Sequence, residues 1–106
     1  MGGSGEVRTV RVRITGRVQG VGFRYWTERV AAELGLSGWV RNRRDGTVEA
    51  QFSGSPEDVA EMIERCRDGP PSAKVASIDI VEGAAEPSPG FQVLSTVIVD
   101  WVERQR

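Results

Sequence analysis

The hydrophobic period of this chain changes in a set order, and that order constrains the fold more than any single residue does. Val10, Val12 and Ile14 alternate with Thr9, Arg11, Arg13 and Thr15, which is the period of a half-buried strand over Val7 to Thr15. The segment GRVQGVG ends it. Phe23, Trp26, Val30, Ala31 and Leu34 then recur at helical spacing, with Gly35 placed as a left-handed cap. LSGWVRN, RRDG and TVEAQFS read as strand, tight turn and strand, because Asp45-Gly46 supplies the turn chemistry that joins antiparallel neighbours. Ser55-Pro56-Glu57-Asp58 opens a second helix with a capping serine, proline at the first position and acids in the first turn. Val59, Met62, Ile63 and Cys66 mark its buried stripe, and Gly69-Pro70-Pro71 stops it. Ala76, Ile78 and Ile80 predict a fourth strand, and Phe91 to Val102 predicts one more, long or bent.

The expected order is therefore βαββαβ with an extra C-terminal strand, an α+β sandwich. Right-handed crossovers put both helices on one face of a mainly antiparallel sheet. The first two strands then run the same way. With one antiparallel strand between them, their carboxyl ends lie at one sheet edge, roughly 10 Å apart. The other sheet face is open, with Arg11 and Arg13 pointing there and Glu49 and Gln51 facing them as cross-strand charge partners.

A length of 106 residues suits one domain with a modest core and is too short for two. Residues 1–6 are expected as a flexible leader, 7–94 as the folded domain, and 95–106 as an extension continuing the last strand. The chain has no histidine and one cysteine, which excludes histidine-based catalytic triads, cysteine–histidine dyads, zinc sites and an internal disulfide. A lone thiol without an apolar leader or a run of eighteen apolar residues predicts a soluble protein of the cytoplasm with no membrane partner. The net charge of −1 argues against general nucleic-acid affinity but hides an asymmetry. Met1 to Ser53 holds nine Arg against five acids, net +4, and the remainder is net −5. Any anion site belongs to the first half.

The starts of the two helices differ, and the second serves as a control for the first. Glu57 and Asp58 sit where the partial positive charge of a helix start favours acids. The first helix has glycines before it, no acid in its first turn, and Arg24 where a cation is disfavoured. Backbone N–H groups converging at such a start, with Gly20 and Gly22 permitting close approach and a guanidinium beside them, suit a phosphate group. The plainer reading is a turn that only turns. The P-loop pattern fails because no lysine follows, and a dinucleotide fingerprint fails for want of a third glycine.

Gly16 to Arg24, GRVQGVGFR, and Gly38 to Glu49, GWVRNRRDGTVE, resemble the two signature segments of the acylphosphatase family, and the likeness extends from Val7 to about Leu94. The resemblance implies a ferredoxin-like sandwich that hydrolyses the carboxyl–phosphate anhydride of acyl phosphates, releasing a carboxylate and inorganic phosphate, without metal or cofactor. It makes Arg24 the phosphate-binding arginine and Asn42 the residue that positions the attacking water. The amides of Arg17, Val18, Gln19, Gly20, Val21, Gly22 and Phe23 become the phosphate cradle. The departure lies at the end, where STVIVDWVERQR continues past the family's usual finish. The expected state is a monomer, with a tail-mediated dimer as the alternative.

Asn42 also has a plain explanation as a cap on its own turn. Arg17, Arg41, Arg43 and Arg44 are expected to form a solvated basic rim that attracts anions, and Trp26 and Trp39 to pack. Two competing functions follow from the same residues. A non-catalytic anion-binding domain would keep the loop and Arg24 but need no Asn42. An RNA-binding sheet would need exposed aromatics on its central strands, where Arg11, Arg13, Glu49 and Gln51 stand instead.

Overall fold

A computed structural model describes residues 5–83 and 89–96. The chain runs β1 (Arg8–Arg17), α1 (Phe23–Glu33), β2 (Ser37–Asn42), β3 (Val48–Gly54), α2 (Pro56–Asp68), β4 (Lys74–Glu82) and β5 (Phe91–Val93). The sheet order is β4-β1-β3-β2-β5. All neighbouring pairs are antiparallel except β2 with β5. The two helices pack on one face of this sheet, α1 against β2 and β5 and α2 against β4, β3 and β1.

The alternation read in the sequence is the alternation that builds the core. Val10, Val12 and Ile14 of β1 lie opposite Phe52, Ala50 and Val48 of β3, and all six are buried with Val40, Phe23, Val30, Val59, Met62 and Cys66. Phe52 stacks on Phe91 at 5.9 Å, which seals the β5 side. Each buried aliphatic side chain contributes about 1.5–3 kcal/mol, whereas the exposed helix pairs Arg65–Glu61 and Arg67–Glu64 contribute about 0.3–0.5 kcal/mol each. Burial decides the fold. The helix ends follow the sequence signals: α1 closes over Leu34 with Gly35 left-handed, and the Ser55 hydroxyl accepts from the Asp58 N–H at 3.2 Å.

Three expectations change. β4 does not alternate throughout, because the pairing shifts between Thr15 and Gly16, which lie opposite Ser77 and Val75. Ala76 is the extra residue of a β-bulge, so Val75 packs against the core and Ala76 is exposed. Gly16 belongs to this bulge: a Cβ there would lie 2.2 Å from the Lys74 carbonyl oxygen. The last strand covers Phe91–Val93, its final bond running from the Leu94 N–H to the Val40 carbonyl. Only Arg41 and Asn42 of β2 remain beyond that point, which leaves little strand to pair with. The predicted strand residues 97–102, most of the 95–106 extension and the start of the 1–6 leader lie outside the described residues.

The third change is on the open face. Arg13 does lie opposite Glu49 and Arg11 opposite Gln51, yet Glu49 is held by the other neighbouring strand. Its Oε1 accepts from Arg41 Nε at 2.9 Å and Arg43 Nη1 at 3.0 Å. Arg41 and Arg43 are thus half-buried partners of a Glu49 that is only 7% exposed, while Arg17 and Arg44 stay exposed as expected. The face also carries an aromatic, Trp39, directly opposite Gln51. Its ring lies 4.7 Å from the Arg41 guanidinium and 5.7 Å from that of Arg11, so cations occupy its surroundings. Trp26 packs edge-on to Phe23 at 5.4 Å.

Cys66 tests the packing of α2. It is buried in the core, and burial pushes its thiol up to about 12. In the native protein at pH 9 an alkylating reagent should leave Cys66 unmodified, and in denaturant it should modify it fully. Mass spectrometry reads both, and native labelling at the denatured rate would contradict the buried placement.

Candidate active site

β1 and β2 run parallel with β3 between them, so the loop after β1 and the end of β2 meet at one sheet edge. The loop is anchored on both sides of its glycines. Val18 and Phe23 are buried at 1% and 2% exposure, while Gly20 and Gly22 between them are exposed. Gly22 is the residue before α1, left-handed at φ 80°, ψ 18°, a conformation that costs other residues about 1 kcal/mol or more. Its carbonyl accepts the first helical bond, from the Trp26 N–H at 3.0 Å.

No side chain caps this start and no acid stands in its first turn, whereas Ser55, Glu57 and Asp58 supply both for α2. The contrast read from the sequence is therefore a contrast in structure. The first turn of α1 keeps its partial positive charge and its outward N–H groups. Arg24 adds a full charge at the same place. Among the described residues its guanidinium forms no ion pair, and it lies 5.8 Å from the Tyr25 ring.

Val18, Gly20, Gly22, Phe23, Arg24, Tyr25 and Asn42 line one cleft of about 130 Å³. The structure thus brings together Arg24, Asn42 and four of the seven predicted loop residues. Arg17, Gln19 and Val21 do not line it; Arg17 is exposed and Val21 packs against the core. Asn42 ends β2 opposite Val48, and among the described residues its side chain makes no hydrogen bond, so it does not cap its own turn. A larger cavity of about 380 Å³ lies on the open sheet face, lined by Arg11, Arg13, Glu49, Asp79 and Val81, and shares no lining residue with the cleft. Among the described residues, no group of three or more His, Cys, Asp or Glu is placed to hold a metal ion.

Two side-chain roles in this region escaped the sequence reading. Gln19 turns away from the cleft and donates both side-chain N–H bonds to the hairpin between β2 and β3, at 2.8 Å to the Arg43 carbonyl and 2.9 Å to that of Thr47. It straps the loop to the turn that follows Asn42. The turn itself is rigid, since Asp45 Oδ1 accepts from the Thr47 N–H and hydroxyl at 3.0 and 2.7 Å, which holds the Asp45 carboxyl below its ordinary value. Tyr25 has the other. It stands off the apolar stripe of α1 and is 64% exposed, and an aromatic outside that stripe is the signal that marks it.

The Acylphosphatase family model matches residues 10–93, a span that includes the whole loop, Arg24 and Asn42. The chain belongs to the acylphosphatase family. An acylphosphatase of Nitrobacter winogradskyi is 57% identical over 93 residues, covering 82% of this chain and 94% of that relative. Among solved structures, an acylphosphatase from Coxiella burnetii superposes with a TM-score of 0.80 at 34% identity, covering 83% of this chain and 93% of the other. One from Bacillus subtilis gives 0.79 at 36% identity, with 84% and 99% covered. These likenesses confirm the ferredoxin-like α+β fold and make the chain an acylphosphatase, a hydrolase. Among the described residues no helix is long and apolar enough to cross a membrane.

The strap gives a direct test of how the site is held. Gln19→Ala removes one of two hydrogen bonds at each carbonyl, leaving that of Arg43 with the Gly46 N–H and that of Thr47 with the Arg43 N–H, and should cost about 1 kcal/mol of stability in a denaturant titration. Because small displacements of a reacting group are expensive, kcat for an acyl phosphate should fall about 10- to 100-fold. A variant with unchanged kcat would mean that the hairpin holds its position without Gln19.

Proposed function

We propose that this cleft is where the chain hydrolyses acyl phosphates, with the phosphoryl group seated on those amides of the Arg17 to Phe23 loop that face it and clamped by the Arg24 guanidinium. The observation that carries the reading is the meeting of Arg24, Asn42 and the glycine loop around one cleft at an uncompensated helix start. The Asn42 side chain orients a water molecule. Its oxygen attacks phosphorus in line with the bond to the acyl oxygen, that bond breaks, and the carboxylate leaves with the electron pair. The proton of the attacking water passes to a phosphate oxygen. A carboxylate is a weak base, so no strong general acid is needed at the leaving group, which suits a chain without histidine. The catalytic contribution is positioning and charge neutralisation by groups already in place.

The same reading makes residues 7–94 the catalytic unit, supported by the family match over 10–93. It assigns the protein to the cytoplasm as a monomer, supported by a single cysteine buried in the core and a net charge of −1.

Arg24 and Asn42 divide the work, so their variants should behave differently. Arg24→Ala should lose both phosphate binding and turnover, and Arg24→Lys should not restore the rate, because an ammonium cannot present two parallel donors to two phosphate oxygens. Asn42→Ala should lose turnover by roughly 100-fold or more yet bind inorganic phosphate as the wild type does. Steady-state kinetics and phosphate inhibition measure the two quantities. A lysine variant near the wild-type rate, or equal loss of phosphate affinity in both alanine variants, would overturn the division.

A further inference from the structure

We infer that Tyr25 is the residue that receives the acyl group of the substrate and biases the enzyme toward acyl phosphates with an aromatic acyl part. The inference rests on the cleft being the phosphate site, as proposed above. A cleft of about 130 Å³ is well below the ~300 Å³ at which pockets begin to enclose a whole small organic ligand. It has room for the phosphoryl group and a water, and the acyl part must lie at its mouth.

The lining residues leave one candidate for contact there. Val18 and Phe23 are buried into the core, Gly20 and Gly22 have no side chain, and Arg24 and Asn42 serve the phosphoryl group and the water. Tyr25 alone among the lining residues offers a large exposed surface, at 64% exposure. A scattered exposed aromatic needs no explanation, but this one sits on the rim of the cleft and beside the arginine that would hold the phosphate. Its ring centroid is 5.8 Å from the Arg24 guanidinium, within cation–π range, so the exposed ring presents an aromatic surface next to that cation. An aromatic acyl group packs against such a surface by ring contact, whereas an acetyl group is too small to cover it.

Hydrolysis of benzoyl phosphate and acetyl phosphate by wild type, Tyr25→Ala and Tyr25→Phe tests this. The alanine variant should lose about five- to tenfold in kcat/KM for benzoyl phosphate, with less than a twofold change for acetyl phosphate. Tyr25→Phe should retain the wild-type preference, since the ring face and not the hydroxyl makes the contact. Equal loss on both substrates in Tyr25→Ala would mean that the ring acts only by positioning Arg24 and would overturn the inference. So would no loss on either, or a phenylalanine variant as impaired as alanine. Arg24-dependent hydrolysis of acetyl phosphate by wild type separates the two levels: where it holds, a failure at Tyr25 belongs to this inference alone, and where it is absent the underlying reading falls and this one with it.

Discussion

Helix α1 begins without the negative charge that a helix start ordinarily recruits, and the rest of the site depends on that deficit. The glycines before it leave the amides uncovered, and Arg24 deepens the positive potential instead of relieving it. Such an arrangement is unfavourable until an anion fills it. It persists because the loop cannot relax: Val18 and Phe23 bury its two shoulders, and Gln19 ties its middle to the neighbouring hairpin. Core packing thereby maintains an electrostatic opening that local preferences alone would close.

Topology supplies the second half of the site. The crossover from β1 through α1 to β2 leaves β3 between two parallel strands, which brings the glycine loop and Asn42 to the same edge at a distance set by strand spacing. The Asp45 turn and the Glu49 pairs with Arg41 and Arg43 stiffen that hairpin from the open face. Charges that look like a rim for steering substrate act instead to hold β2 and β3 in register.

The strand and helix assignments were legible because apolar period and capping residues agree along most of the chain, as at Ser55-Pro56 and Gly35. Arg24 was legible from the missing acids of α1, while Asn42 needed the family likeness, since asparagine near a turn has an ordinary explanation. The failures share a physical cause. The bulge at Ala76 reverses the alternation through a backbone irregularity that residue types do not encode. Glu49 has cationic neighbours on both adjacent strands, and the sequence alone does not rank Arg41 and Arg43 over Arg13. Gln19 and Tyr25 act across space, one toward the Thr47 carbonyl and one over a cleft mouth, and neither relation leaves a periodic mark.

The central claim is that a helix start made positive by its own loop, and completed by Arg24, binds phosphate. Thermal unfolding in a series of inorganic phosphate concentrations tests it without any substrate, with a chloride series at matched ionic strength to account for general salt effects. At ten times its dissociation constant, phosphate bound only to the folded state adds about 1.4 kcal/mol, which for a domain of this size is roughly 5 to 10 °C. The wild type should show this rise over the chloride series and Arg24→Ala should show almost none. Equal shifts in the two proteins would mean that the glycine loop is only a turn and that phosphate binds elsewhere or not at all.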